Sequence, residues 1–310
     1  MVIGVDIGGT KVAAALVTPE GEIRQKTRVP MVSTGDAATG FAAVKEAITA
    51  IYSAAPNTIT GIGICSPGPL DPSTGVVINP PNLPCWRNFP LAQETETAFG
   101  VPTRVDNDGN AAGLAEALWG AAVGYRNVFY ATLGTGIGAG IVFDRKIYHG
   151  RTGAAAEGGH VSIDYKGPRC ACGKRGCIEA LASGPRIAAR AREKLTSAPE
   201  SRILAHAGNI EQVQTEHVGE AFREGDAVAR ELLAETAFFL TVWLGNIVDL
   251  LEPDVMVVGG GVAELMSSFF PSIRADLPHW SENQRAGEIP LVLARYGAEA
   301  GIAGAAALCR

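Results

Sequence analysis

Charge is scarce in this chain and nearly balanced. Charged residues make up 19% of it and apolar residues 47%, which excludes an intrinsically disordered chain, because such chains have the opposite balance. Positive charge is not in excess: 26 Lys and Arg stand against 32 Asp and Glu, a formal net charge of −6. A protein that coats nucleic acid or an anionic membrane needs the reverse sign, so neither is an expected partner. The start, Met1-Val-Ile-Gly-Val-Asp6, has no basic segment, and Asp6 interrupts any signal-peptide core. The most apolar stretch, Phe238 to Leu251, is broken by Asn246 and Asp249 and reads as a buried helix rather than a membrane span. Six cysteines in 310 residues are no disulfide framework. Cys65, Cys85 and Cys309 are scattered and read as small hydrophobes. A cytoplasmic, enzyme-like globule is the expectation.

What the chain does have is glycine, 38 residues, and much of it recurs in a pattern. Residues 2 to 17 (VIGVDIGGTKVAAALV) and 128 to 143 (VFYATLGTGIGAGIVF) each read as strand, glycine turn and strand, at an offset of 126 residues. Apolar strands around glycine turns also look alike by chance. Duplication is favoured because each hairpin opens a similar succession of elements. After the first come a helical stretch (Gly40 to Ala54), a strand (Thr60 to Cys65) and a strand–helix unit (Thr103 to Trp119). After the second come helices (Ser183 to Thr196, Ala227 to Val248), a strand (Val255 to Val258) and a helix (Ala263 to Phe270). Alternating strands and helices predict two related α/β domains with a cleft between them. The boundary is expected near residues 108 to 122, drawn after Leu118. The zinc loop described below, 157–179, then falls in the second domain, 119–296, and a C-terminal helix of about 297–310 packs on the first.

Four glycine segments can approach a ligand closely. The turn Asp6-Ile-Gly8-Gly9-Thr10-Lys11 offers amides and a hydroxyl to phosphate, and Asp6 can hold Mg²⁺ through water. Leu133-Gly134-Thr135-Gly136-Ile137-Gly138 is its counterpart. No Gly-Lys is followed by Ser or Thr, which excludes a Walker A loop, and strand rather than helix follows each turn, unlike a dinucleotide fingerprint. Gly259-Gly260-Gly261 ends a strand and opens a helix, which suits a purine or ribose. The segment from Gly61 to Gly68 ends in a turn that can offer backbone to a substrate. Each alone is a weak signal, and the first turn by itself is more often a plain hairpin than a site; in this order they are strong.

Glu157-Gly-Gly-His160 precedes Cys170-Ala-Cys172-Gly-Lys-Arg-Gly-Cys177-Ile-Glu179. Three thiolates (Cys170, Cys172, Cys177) and the His160 imidazole complete a tetrahedral Zn²⁺ shell with no open position, so a structural metal is expected. A redox cluster fits this spacing less well, and a nucleic-acid zinc ribbon lacks its second cysteine pair. Val105-Asp106-Asn107-Asp108-Gly-Asn110 precedes a helical pattern. Asp or Asn here is a helix cap in one reading. In the other, Asp108 is an anion stabilised by the helix terminus that accepts a hydroxyl proton in phosphoryl transfer, with Asn107 fixing the hydroxyl.

In this order the motifs DIGGTK (6–11), GIGICSPGPLD (61–71), NLPCW (82–86), NDGNAA (107–112), LGTGIG (133–138) and CACGKRGCIE (170–179) resemble the ROK-family sugar kinases, and most of all their bacterial glucokinases. The resemblance implies a two-domain actin-like ATPase (ribonuclease H-like) fold and ATP-dependent phosphorylation of a hexose, glucose first, with mannose, fructose, N-acetylglucosamine or N-acetylmannosamine as alternatives. It implies that Asp108 is the base and that Gly68, Asn82, Asn107, Glu157, His160 and Glu179 hold the sugar. Gly8, Gly9, Thr10, Lys11, Gly134, Thr135, Gly136 and Gly138 would hold the phosphates of ATP, with Gly260 and Gly261 near the adenosine. Polyphosphate is a second donor that it leaves open, and it implies a homodimer or homotetramer. The family's repressors carry a DNA-binding helix-turn-helix ahead of the first hairpin. Here that hairpin begins at residue 2, so a regulator is not expected. Two positions depart from the family's usual Gly-Glu-(large apolar)-Gly-His: Ala156 and Gly158, both beside Glu157.

Overall fold

The first strand is apolar at nearly every position, and that decides its place. In the computed structural model, which describes residues 1–53 and 58–310, β1 (Val2–Ile7) is buried throughout except for half-buried Asp6. Such a strand must be covered on both faces. It lies at the centre of a five-stranded sheet ordered β3-β2-β1-β4-β7. β2 (Lys11–Val17) and β3 (Ile23–Pro30) join it antiparallel on one side. β4 (Gly61–Ser66) and β7 (Thr103–Asn107) run parallel on the other. β5 (Leu70–Asp71) and β6 (Val76–Val77) form a separate small hairpin.

The period of two in β1 sorts its side chains between two helical layers. Ile3, Val5 and Ile7 share a core with Phe41, Val44, Ile48 and Ile51, which recur at helical spacing along α1 (Ala37–Tyr52). Ala54, the expected end of that helix, lies outside the described residues. Val2 instead packs with Ile302 and Ala306 of α11 (Ala300–Ala307). Gly4, on the same face, is glycine because a Cβ there would lie 2.2 Å from the Ile302 carbonyl oxygen. Asp6 is next on that face. α2 (Leu91–Phe99) leads into β7, and α3 (Asp108–Trp119) follows it directly and packs on α11.

A second sheet is ordered β10-β9-β8-β11-β12, built from β8 (Asn127–Leu133), β9 (Ile137–Phe143), β10 (Lys146–Ile147), β11 (Val255–Gly259) and β12 (Leu291–Leu293). In both sheets the strand order is third, second, first, fourth, fifth, leaving the small hairpin aside. The 126-residue offset carries the bounds of β2 onto those of β9.

Two compact units result: Met1–Tyr130, Gly140–Ala156 and Arg295–Arg310 form the first, and Ala131–Ala139 and Glu157–Ala294 the second. The division therefore falls after Tyr130, not after Leu118, and the chain returns to the first unit for residues 140–156. Contacts explain the difference. The buried Glu116 carboxylate accepts from the amides of Ala121 and Tyr296, which keeps the turn after α3 in the first unit. β10 packs on α3 in the same unit.

The second unit carries α4 (Glu179–Ala182), α5 (Gly184–Leu195), α6 (Arg202–Ala207), α7 (Thr215–Arg223), α8 (Ala227–Leu251), α9 (Gly261–Met266) and α10 (Phe270–Asp276). α8 starts at Ala227, where the expected helix (Ala227 to Val248) starts, and takes in the whole Phe238 to Leu251 stretch; Asp226 caps it by accepting from the Ala229 amide at 2.8 Å. By length and composition it is a candidate membrane span. It lies instead among α4, α5, α7 and α10, with Leu232, Leu233, Leu240, Trp243 and Leu244 buried.

Candidate functional site

The parallel strands of the first unit end together. Asp6 of β1 is in register with Cys65 of β4, and Cys65 with Asp106 of β7. Ligands of open α/β sheets bind beyond such carboxyl ends. The Asp6 carboxylate accepts from the Cys65 thiol at 3.4 Å, and burial raises its pKa. Burial, with Asp6 and Asp108 as neighbouring negative charges, pushes the Cys65 thiol well above its usual range. Cys65 is fully buried, as a small hydrophobe is, with its thiol turned to Asp6. One half-buried carboxylate at a strand end suits a cation held through water. Beyond β1 the turn closes with the Gly8 amide on the Lys11 carbonyl at 2.9 Å. A Cβ on Gly9 would lie 3.0 Å from the Asn82 carbonyl oxygen, so the glycine turn and Asn82 are in contact. Thr10 and Lys11 are exposed beside them.

The cap and the candidate base are different residues. Asn107 is the N-cap of α3, and its side chain accepts from the Gly109 amide at 2.9 Å. Asp108 is the first helical residue and is exposed. Its Oδ1 accepts from the same amide at 2.8 Å. The helix terminus favours the anion there. The Asn107 amide nitrogen lies 3.8 Å from where a Cβ of Gly68 would be, so Gly68 and Asn107 border one space.

In the second unit, the turn after β8 is braced from below. The Gly134 amide donates to the Gly136 carbonyl and the Gly184 amide to the Gly134 carbonyl, at 2.9 and 2.8 Å. The Ile137 amide donates to the Glu179 carboxylate at 2.9 Å. Gly138 lies just beyond, in β9. Gly260 has φ +90°, and a Cβ there would lie 2.3 Å from the Leu133 carbonyl oxygen, so the two glycine segments abut. Above Gly134 and Gly261 the space is open. It belongs to a cavity of about 1030 Å³ whose walls include Gly134, Thr135, Gly184, Arg192, Arg223 and Gly261. That is room for a nucleotide.

The ligand atoms of His160, Cys170, Cys172 and Cys177 all lie within 4.8 Å of one another. Cys172 Sγ is 3.7 Å from Cys177 Sγ, and Cys170 Sγ is 3.6 Å from His160 Nδ1. Bonds of about 2.3 Å to a tetrahedral zinc give edges of about 3.8 Å, so the four donors fit that ion. As bare thiols the three differ: burial, aided by its neighbours, pushes Cys177 up to about 12 and burial also raises Cys170, whereas a backbone hydrogen bond from Lys174 lowers Cys172. A bound cation would supply the missing countercharge. Gly176, at φ +62°, lets the loop turn where a Cβ would strike the Asp164 carbonyl. Nδ1 of His160 faces the thiols, and Glu179 Oε1 lies 3.8 Å from it. Thus Glu179 touches both the His160–cysteine cluster and the glycine turn, a link the sequence did not announce.

Glu157 is exposed at the head of the short turn Gly158–His160. Ala156 before it adopts φ +64°, the left-handed region a glycine would occupy without strain. The buried Trp243 donates to the Gly158 carbonyl at 3.1 Å and so supports this turn from α8. Sequence reasoning passed over Trp243, and also His149, whose Nε2 is 2.6 Å from the buried carboxylate of Asp106.

The ROK family profile matches residues 2–310. A glucokinase of Streptomyces coelicolor is 34% identical over 316 aligned positions, covering 100% of this chain and 98% of the relative. An N-acetylmannosamine kinase of Salmonella arizonae is 32% identical, covering 99% and 98%. A solved ROK family glucokinase from Streptomyces griseus, in complex with glucose and AMPPNP, matches with a TM-score of 0.82 at 34% identity, covering 99% and 98%. The match runs from β1 to α11: this protein belongs to the ROK family, and its α/β units are those of the actin-like ATPase fold.

Proposed function

We propose that this chain is an ATP-dependent hexose kinase that converts glucose to glucose 6-phosphate. The observation that carries the reading is Asp108, exposed at the first position of α3 while Asn107 does the capping. In the reaction the sugar's O6 attacks the γ-phosphorus, the bond from that phosphorus to the β,γ-bridging oxygen breaks, and Asp108 takes the O6 proton. ADP leaves. Transfer of this kind asks the protein mainly for position and charge. Gly68, Asn82, Asn107, Glu157, His160 and Glu179 are the proposed sugar ligands, with His160 offering Nε2 while Nδ1 faces the metal cluster. Gly8 to Lys11, Gly134 to Gly138 and the cavity beside Gly260 and Gly261 are the proposed nucleotide site. Mg²⁺, held by Asp6 through water, would neutralise charge on the phosphates. Zn²⁺ on His160, Cys170, Cys172 and Cys177 would be structural, since four protein ligands leave no position for substrate.

The relative from Salmonella supports a second reading, an N-acetylmannosamine kinase. Ala156 and Gly158 flank Glu157, so the departure from the family pattern bears on sugar choice more than on transfer. The rest of the proposal, a cytoplasmic homodimer or homotetramer without nucleic-acid or membrane partners, is supported by the acidic balance and the family resemblance.

A coupled ADP-release assay over a panel of hexoses, with ATP and with polyphosphate, tests the function. ATP with glucose should give the highest kcat/KM. Preference for an N-acetylated hexose would transfer the assignment to the second reading, and absence of turnover with every sugar would end both.

A further inference from the structure

Two residues before the proposed base, Asp106 is 3% exposed, yet its carboxylate is fully engaged. Oδ1 accepts from the Asn107 amide at 2.7 Å and from the Asn110 side chain at 3.0 Å. Oδ2 faces His149 Nε2 at 2.6 Å. These partners bracket Asp108. Asn107 precedes it and caps its helix, and Asn110 stands in the same first turn. His149 comes from elsewhere in the unit, in the segment after β10 that leads to Ala156 and Glu157. That segment is folded on itself, with the Ala155 amide donating to the His149 carbonyl at 3.2 Å.

We propose that Asp106 and His149 are positioning residues for phosphoryl transfer, a buried carboxylate and a partly exposed imidazole that together fix the strand-to-helix turn presenting Asp108. The inference rests on Asp108 being the base. A buried carboxylate without a partner is unstable and rearranges. Two of its hydrogen bonds hold the turn in place, and His149 supplies the countercharge that lets the anion remain there. Neither residue reaches the substrate through these contacts; both act through Asp108.

The bond to Asp106 raises the pKa of His149 above its usual 6.5, and Asp106 on β7 is the charged group that acts on it among the described residues. The sign follows. The charged pair is complete below the ordinary histidine value and is lost as pH rises through the raised one. Above that, the neutral imidazole still donates through Nε2, but the charge is gone. Activity that depends on the pair therefore has an alkaline limb belonging to His149.

The test uses the whole chain with ATP and whichever hexose it turns over best. His149→Ala should lower kcat by about 10²-fold, the cost of a small misplacement of a reacting group, with a smaller change in sugar KM. Asp106→Asn should act in the same direction, and the double variant should be little worse than either single one. His149→Gln places an amide donor near the Nε2 position. It should recover kcat to within about tenfold of wild type and lose the alkaline limb. Wild-type kcat in His149→Ala, or a rise confined to sugar KM, would reduce the pair to an anchor for the 149–157 segment and overturn the proposal. If His149→Ala does not fold, the pH profile of His149→Gln decides, because an unchanged alkaline limb contradicts it. Asp108→Asn, measured beside these, separates the two claims: normal turnover there sinks the base, whereas a dead Asp108→Asn with a normal His149→Ala sinks only the pair.

Discussion

Asp108 and Asn107 are neighbours with different geometry, and the difference assigns the cap to Asn107. Asn107 has φ −68° and ψ 148°, extended as a cap must be, whereas Asp108 is already helical. Losing the Asp108 charge therefore leaves the start of α3 intact. Asp108→Asn should lower kcat by about 10²–10⁴-fold, the usual contribution of a general base. Melting temperature and sugar affinity should stay near wild type. Steady-state kinetics beside a sugar titration checks this, and a near-normal kcat would mean that the carboxylate takes no proton. The sequence left cap and base undivided over these residues, since Asp and Asn cap equally well and only backbone angles tell which one does. His149 was not legible at all. It meets Asp106 across 43 residues of chain, and no spacing rule links a lone histidine to a partner that far away.

The proposed zinc loop shows what an element adds to the side chains it carries. His160 sits in a short turn that begins next to Glu157, and Cys177 is two residues before Glu179, the start of α4. The backbone joins the two ends, with the Ile178 amide on the Val161 carbonyl at 3.0 Å. Cys172→Ala should therefore release the metal, lower the melting temperature and raise sugar KM strongly. ATP KM should change far less. Metal analysis with sugar and ATP titrations separates this from a catalytic zinc, for which kcat would vanish with sugar affinity intact. Wild type that phosphorylates sugar normally without stoichiometric zinc would refute the structural role. The gathering of His160 with Cys170, Cys172 and Cys177 was legible because cysteine and histidine at close spacing have few other uses in such a chain. The contact from Glu179 to the Ile137 amide was not, because it depends on how the loop folds back over 42 residues.

At the scale of the molecule, the repeated hairpin foretold the repeated sheet, since a glycine turn between apolar strands keeps its signature over the 126-residue offset. The edge strands were hidden. β3 reads IRQKTRVP, mostly exposed, and β10 and β12 have only two and three residues, so neither period nor apolar run betrays them. Charge and shortness are what edges need. The centre of the first sheet makes the opposite demand. α11 reads AGIAGAAA and lies against β1 and β4 with almost no side chain between. A Cβ on Gly63 would lie 1.7 Å from the Ala305 carbonyl oxygen, which is backbone and can yield only if the helix moves. The same helix brings Gly301 against Asp6, where a Cβ would lie 2.5 Å from the carboxyl carbon, and its carbonyl accepts from the Cys65 thiol at 3.2 Å. Gly63→Ala should thus cost about 1–3 kcal/mol of stability, as overpacking does, and raise the KM for Mg-ATP by shifting the surroundings of Asp6. Zinc content should stay unchanged, because the ligands belong to the second unit. Gly61→Ala on the same strand is the control: its Cβ meets the Cys309 side chain at 3.3 Å, which can rotate away, so the loss should be smaller. Thermal melts and Mg-ATP kinetics on the two variants decide it. Equal, negligible effects would mean that α11 does not rest on these glycines, and that the approach of Gly301 to Asp6 has another cause.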